Sequence, residues 1–231
     1  MKTVILAGGR GQRLKSVVDD RPKPMAEIND RPFLEYLILQ LKRWHLTDII
    51  LSIGYKGEII KKHFGDGSKW SVSIQYSEEV EPLGTGGAIG HAKELIETDF
   101  FIVINGDSFL ELDYSEFIRF HKTNNGIATI ALTEVDDVSR FGTVSFEEGY
   151  RIKSFNEKCS AGRGYINGGI YCFQKEILDH IPERNVSLER EVFPKLLAYG
   201  VYGFKTEGFF MDIGTPESYE IAKGQLVTYI S

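Results

Sequence analysis

Cysteine is nearly absent, with Cys159 and Cys172 the two in a chain of 231 residues. They form no CxxC pair, and two thiols are too few for a disulfide framework or a four-cysteine zinc site. They read as reduced thiols. Basic residues are in deficit, 27 Lys and Arg against 33 Asp and Glu, for a net charge of -6. That balance excludes a surface that attracts nucleic acid throughout, so an anionic ligand has to be recognised in one local pocket. No apolar run approaches the ~20 residues of a membrane span. The opening "MKTVILAGGRGQR" has only about five apolar residues before charge returns, short of a signal-peptide core. A soluble, cytoplasmic protein with no nucleic-acid or membrane partner is expected.

Several catalytic signatures are missing as well. The five histidines, His45, His63, His91, His121 and His180, have no HExxH or related ligand spacing, and no GxSxG elbow occurs. Surface or packing roles follow for all five. A GxGxxG motif starting at Gly9 fails at Leu14, and the GK[ST] of a P-loop is absent. Serine hydrolases, zinc hydrolases, dinucleotide oxidoreductases and P-loop ATPases all lose ground.

With 42% hydrophobic residues the chain can bury a substantial core. No proline-rich linker, composition shift or repeat divides it, so residues 1–231 are expected to form one domain. A strand over Thr3–Ala7 leads to "RPFLEYLILQLKRW", where Phe33, Leu34, Leu37, Ile38, Leu41 and Trp44 fall at helical spacing. "DIILSI", "GEIIKKHF", "SVSIQYS" and "GAIGHAKELI" then alternate strand and helix, and the apolar "FFIVI" suits a central parallel strand. The pattern predicts an α/β fold with helices on both faces of a twisted sheet and ligands at the carboxyl ends of its strands. Beyond residue 126, "IATIALTEV", "FGTVSF", "YRIKSF" and "GGIYCF" read as hairpins extending the sheet. Helices are expected again at "LEREVFPKLLAY" and after "GTPE", with a short strand at "FFMDI" between them.

Four stretches carry chemistry. "LAGGRGQRL", Leu6 to Leu14, places glycine backbone and the charges of Arg10 and Arg13 after the first strand. Such backbone can approach phosphate closely and aim amides at it. In "RPKPM", Pro22 and Pro24 stiffen the chain around Lys23, a point charge suited to phosphate. "EPLGTGGAIG" reads as a glycine loop at a helix entrance, against which a base or phosphate can lie. Finally, "NGD" and "MDIGTPE" put Asp107 and Asp212 at strand ends, with Thr215 and Pro216 at N-cap and N1 of the last helix. Two carboxylates together with substrate phosphates suit Mg²⁺. Each stretch alone has a plain structural reading as a turn, a surface lysine, a helix start or a capped loop.

Taken in order, "LAGGRGQRL", "RPKPM", "EPLGTGG", "NGD", "EK", "NGGIY" and "MDIGTPE" resemble the sugar-phosphate nucleotidyltransferases, also called nucleotide-sugar pyrophosphorylases. Gln12 stands where many members have threonine. The resemblance covers nearly the whole chain and implies a Rossmann-like, three-layer, GT-A-like nucleotidyltransferase fold with a mixed, mostly parallel central sheet. It also implies an ordered reaction in which a sugar 1-phosphate attacks the α-phosphorus of an NTP and pyrophosphate leaves, with Mg²⁺ as cofactor. Carried over residue by residue, Leu6, Ala7, Gly8, Gly9, Gly11, Glu79, Gly84 and Thr85 would bind nucleotide. Arg13, Lys23 and Asp107 would be catalytic, Asp107 and Asp212 would hold the metal, and Gly142, Glu157, Lys158 and Asn167 would face the sugar. The attached β-helix or cupin domains of larger relatives are not expected in this chain, and a homodimer is left open.

The likeness is strongest to guanylyltransferases acting on D-glycero-alpha-D-manno-heptose 1-phosphate, with the mannose 1-phosphate enzymes next and uridylyl or thymidylyl transfer behind. GTP has one chemical argument of its own, because carboxylates at Glu78, Glu79 and Glu81 can accept the N1–H and N2–H of guanine that adenine lacks. Two other classes fit the residues less well. A non-catalytic nucleotide-sugar sensor has no need to keep Arg13, Lys23, Asp107 and Asp212 together, and a glycosyltransferase would show DxD where "NGDSF" has one aspartate.

Overall fold

The computed structural model describes residues 1–9, 11–14, 16–156 and 162–226. Its first strand, β1 (Lys2–Leu6), is followed after the glycine stretch by a small ribbon, β2 (Glu27–Ile28) and β3 (Arg31–Pro32), and by helix α1 (Phe33–Arg43). The apolar spacing of α1 is realised: Phe33, Leu34, Leu37, Ile38 and Leu41 are buried, while Trp44 falls just beyond the helix as its C-cap. Strand β4 (Asp48–Ile53), helix α2 (Gly57–Phe64), strand β5 (Ser73–Glu78) and helix α3 (Gly84–His91) complete the first half.

The second half comprises β6 (Phe100–Asn105), β7 (Ser108–Leu110), α4 (Tyr114–Asn124), β8 (Ala128–Val135), β9 (Thr143–Phe146), β10 (Ile152–Asn156) and β11 (Gly164–Gln174). After these come α5 (Phe193–Leu196), β12 (Val201–Thr206), β13 (Phe210–Asp212) and α6 (Pro216–Gln225). The expected "LEREVFPKLLAY" helix forms as an irregular run, with α5 flanked by a π-helical turn at Leu188–Val192 and a 3-10 turn at Leu197–Tyr199. Pro194 supplies no backbone N–H there, which keeps a regular ladder from forming.

The central sheet is mixed. Strands β5, β4, β1 and β6 run parallel, with Val4 beside Ile50 and Val103. The long β11 then turns antiparallel to β6 and to β8, and β12 joins β8 in parallel. The β9–β10 hairpin hangs from β11 through Ile166 opposite Thr143.

Period-two alternation sends successive side chains of the buried strands into two separate cores. Ile5, Ile102 and Ile104 join α1, α4 and α6 on one face, through Leu37, Phe117 and Ala222. Val4, Phe101 and Val103 join α3 and α5 on the other, through Ile89 and Phe193. Both faces are therefore covered, and the carboxyl ends of the parallel strands remain as the open edge.

The predicted cap of the last helix is present. Thr215 and Ser218 form a reciprocal capping box with Pro216 in the first turn. Among the histidines, His121 on α4 is fully buried, its Nδ1 2.9 Å from Thr129 Oγ1. Burial, and secondarily Lys122, lowers its pKa to about 4. The unfolded chain takes up this proton near pH 6.5, before the folded protein does. The stability contributed by neutral His121 is therefore full above pH 6.5 and is lost as pH falls toward 4. His121→Leu should remove that dependence. The wild type's unfolding free energy, measured against the variant's by urea titration, should fall by roughly 2–3 kcal/mol between pH 7 and 4.5. A difference that does not change with pH would contradict this.

Candidate functional site

The carboxyl ends of β1, β5 and β6 converge on a cavity of about 490 Å³ lined by Leu6, Gly8, Gly9, Gly11, Arg13, Lys23, Glu79, Gly84, Thr85, Asn105 and Asp107, among others. The structure thus brings together the first loop, "RPKPM", "EPLGTGG" and "NGD". Ala7 is buried behind them, its amide held by Ser52 at 2.7 Å. Arg13 stands exposed at the rim. Arg10, Glu157 and Lys158 lie outside the described residues.

Lys23 is not the surface lysine that the isolated motif allows. It sits in a single 3-10 turn, Lys23–Met25, flanked by Pro22 and Pro24, and only 8% of it is exposed. Its Nζ donates to Asp107 Oδ2 at 2.7 Å. Buried ammonium needs such a partner, since desolvating an unpaired charge is costly. The first loop can pass this close because Gly11 has a φ of +58°, and a Cβ there would lie 2.8 Å from Lys23 Cβ.

Asp107 and Asp212 are also neighbours. Strand β13 pairs antiparallel with β7, placing Asp212 opposite Ser108, and the Ile213 amide donates to the Asp107 carbonyl at 3.1 Å. Asp212 Oδ1 receives a guanidinium hydrogen bond from Arg140 at 3.0 Å. A carboxylate just ahead of β7 and one at the end of its partner strand β13, each facing a cation, offer oxygen donors of the kind that suits a hard divalent ion. Among the described residues no cluster of three or more His, Cys, Asp or Glu that could hold a metal occurs. Mg²⁺ fits such a sparse site, because it takes its other ligands from phosphates and water.

The "GTGG" stretch differs from its reading as a loop. Gly84 to Gly87 form the first turn of α3, and their amides do not all face the cavity. Those of Gly86 and Gly87 donate to the Val186 carbonyl at 2.9 and 3.4 Å. A Cβ at Gly84 or Gly87 would come within 2.6 Å of Val186 O or Arg184 O. The glycines admit the neighbouring chain segment here, and only the other side of the turn, with Gly84 and Thr85, lines the cavity.

Glu79 is likewise engaged. Its Oε1 accepts from Ser52 Oγ at 3.1 Å and its Oε2 from the Leu83 amide at 2.9 Å, beside Gly8. The carboxylate ties β4 to the α3 turn while remaining in the cavity wall. Glu78 pairs with Lys61 on the exposed side.

Asn167 and Gly142 sit in a separate corner, where β9 meets β11 and β10 ends. Asn167 lies at an irregularity in β11. Its Oδ1 accepts from the Gly169 amide at 2.9 Å, and its Nδ2 donates to the Tyr171 hydroxyl at 3.0 Å. Tyr171, fully buried, also accepts from Asn105 Nδ2 and donates to Glu189 Oε1, each at 3.4 Å. Burial and the adjacent Glu189 raise the phenol's pKa well above its usual value. Glu189 Oε2 accepts from the Thr85 and Ser187 hydroxyls at 2.8 and 2.9 Å. Thr85 Oγ1 in turn accepts from the Leu188 amide, so its hydroxyl proton points at Glu189 rather than into the cavity.

This network joins the first turn of α3 to Asn167, and the sequence reading missed Tyr171, Ser187 and Glu189. A signal exists for Ser187, an N-cap serine opening "SLEREVF". Nothing local marks Tyr171 as a polar hub, because it reads as one more aromatic in an apolar strand. Tyr171→Phe should leave Glu189 and both carboxamides short of a partner, at a cost of about 1–3 kcal/mol of unfolding free energy. A urea midpoint within error of the wild type would show that the hydroxyl carries no such load.

Comparison with known proteins gives four consistent matches. The family described as nucleotidyl transferase matches residues 2–228. A Campylobacter jejuni D-glycero-alpha-D-manno-heptose 1-phosphate guanylyltransferase is 41% identical over 95% of this chain and 97% of its own. A Mycobacterium tuberculosis mannose-1-phosphate guanylyltransferase is 37% identical over 99% of this chain, which spans 65% of that longer protein. The crystal structure of HddC from Yersinia pseudotuberculosis complexed with GMP-PN is 40% identical and superposes with a TM-score of 0.87 over 97% of this chain and 98% of that one.

Proposed function

The chain belongs to the nucleotidyl transferase family, and from that premise we propose that it joins GTP to D-glycero-alpha-D-manno-heptose 1-phosphate, giving the GDP-sugar and pyrophosphate. The observation that carries this reading is the buried Lys23 held on Asp107 at 2.7 Å in the wall of a glycine-lined cavity, with Asp212 close by on β13. The high identity to a heptose 1-phosphate enzyme over almost its full length supports the sugar, and the mannose 1-phosphate relative supplies the second reading.

The sugar phosphate is already an anion at neutral pH, so one of its oxygens can attack the α-phosphorus without a general base. The new phosphorus–oxygen bond forms as the bond to the β-phosphate bridge breaks, and pyrophosphate leaves with the electron pair. The protein's task is then placement and charge balance. Lys23 bridges the triphosphate and the reacting phosphoryl group, and Arg13 balances the departing pyrophosphate. The backbone from Leu6 to Gly11 with Gly84 and Thr85 walls the nucleotide side, and Glu79 reads guanine with the lone pairs its two protein hydrogen bonds leave. Lys158 meets the sugar phosphate, and Gly142, Glu157 and Asn167 line the sugar. Asp107 and Asp212 would hold Mg²⁺, which when bound neutralises triphosphate charge. Residues 1–231 act as a single domain, and the reaction suits a cytoplasmic enzyme that supplies sugar for cell-surface polysaccharide.

Pyrophosphate release measured across GTP, UTP, dTTP and ATP, each with heptose, mannose, glucose and N-acetylglucosamine 1-phosphates, tests the assignment. GTP with the heptose 1-phosphate should give the highest kcat/KM, and a higher value with UTP or dTTP would overturn the base. Glu79→Gln should narrow the preference for GTP, and an unchanged preference removes Glu79 from base reading. Asp107→Asn and Asp212→Asn should each lower turnover at limiting Mg²⁺ by at least ~100-fold while circular dichroism stays unchanged. Near-wild-type turnover in either folded variant would take that carboxylate out of the mechanism.

A further inference from the structure

Arg140 belongs to none of the motifs, yet it occupies the space around one proposed metal ligand. Its guanidinium lies 3.0 Å from Asp212 Oδ1, and the Asp212 side chain is 17% exposed against 44% for Arg140. The contact is built rather than incidental. Ser139 donates to both Asp137 carboxylate oxygens at 2.9 Å, forming a tight turn just ahead of Arg140. The next residue, Phe141, meets Phe210 of β13 edge to face at 6.0 Å, and Arg140 lies over the Phe141 ring. The segment is thus fastened to the strand that carries Asp212. It continues directly into Gly142 and β9, the corner assigned to the sugar.

The arrangement parallels Lys23 on Asp107. Each carboxylate of the pair is neutralised by a cation from a different part of the chain, and together they would form one divalent site. A divalent ion on Asp212 puts like charge beside the guanidinium, which then needs another anion within reach. A planar guanidinium matches phosphate oxygens in fork geometry, and a charge-assisted pair of that kind is strong. The triphosphate side already has Arg13 and Lys23. The anion on Arg140's side is the sugar phosphate, for which Lys158 is the one cation proposed so far.

We infer that Arg140 is a ligand for the phosphate of the sugar 1-phosphate, held on Asp212 until a divalent cation takes that carboxylate. The inference rests on the reading of Asp212 as a metal ligand. It makes Arg140 a placeholder that keeps Asp212 neutralised before loading and delivers its charge to the second substrate afterwards.

Mn²⁺ binding to the nucleotide-free protein, followed by electron paramagnetic resonance, gives a readout separate from activity. Arg140→Met keeps the apolar stem over Phe141 and should tighten Mn²⁺ binding about fivefold or more, because a competing charge is gone. The same variant should raise the sugar 1-phosphate KM about tenfold and leave the GTP KM within about twofold. Arg140→Lys should recover part of the lost sugar affinity. Mn²⁺ affinity that is unchanged or weaker in R140M, or equal rises in both KM values, would overturn the inference. The two readings separate through D212N. Mn²⁺ binding that D212N weakens and R140M leaves alone sinks only the role of Arg140, whereas binding that D212N does not weaken removes the metal site and the inference with it.

Discussion

The contact between Lys23 and Asp107 ties together residues 84 positions apart, and the rest of the site is arranged around it. An ammonium group buried to this degree requires a counter-charge, and no neighbour in sequence supplies one. The requirement fixes the "RPKPM" turn against the end of β6, which in turn sets where the first loop must run. Gly11 passes Lys23 too closely for any side chain, and the Gly106 amide is held on the Leu6 carbonyl at 2.9 Å. Two strand ends and a proline-braced turn are thereby locked into one wall.

Two kinds of interaction divide the work. Charge is concentrated where phosphate would react, on Lys23, Asp107, Asp212 and Arg140. Hydrogen bonds outside any ion pair and close backbone packing build the remaining walls, through Tyr171, Glu189, Thr85 and the Val186 carbonyl. The separation has a physical sense. A phosphate pocket must let its charges exchange partners when substrate arrives, and pairs that are partly exposed can do so. The Tyr171 hub is fully buried with its hydrogen-bonding capacity used, so it holds its shape through the same event.

The sequence disclosed the elements whose signals are local and repeated. The α1 face, the buried β6 strand and the Thr215 cap follow from periodicity and capping chemistry that need no tertiary information. Asp107 and Asp212 were legible for a similar reason, since each closes a short apolar run within two residues of a glycine. What stayed hidden depends on which side chain meets which across the fold. The "GTGG" glycines have the same composition whether they face a nucleotide or the Arg184–Val186 segment. Glu79 looks like one of three exposed acids until Ser52 and the Leu83 amide are seen to hold it. Arg140 reads as a turn residue, because its meaning comes from Asp212, which lies 72 residues further along the chain. Family resemblance, rather than periodicity, supplied the sugar-side residues.

Lys23 is the charge on which both the wall and the proposed reaction depend. Its direct test is kcat for pyrophosphate release by Lys23→Met with saturating GTP, Mg²⁺ and heptose 1-phosphate, measured beside its unfolding midpoint. The expected result is a loss of at least ~1,000-fold in kcat in a protein that still unfolds cooperatively. A folded variant that turns over within about tenfold of the wild type would contradict it.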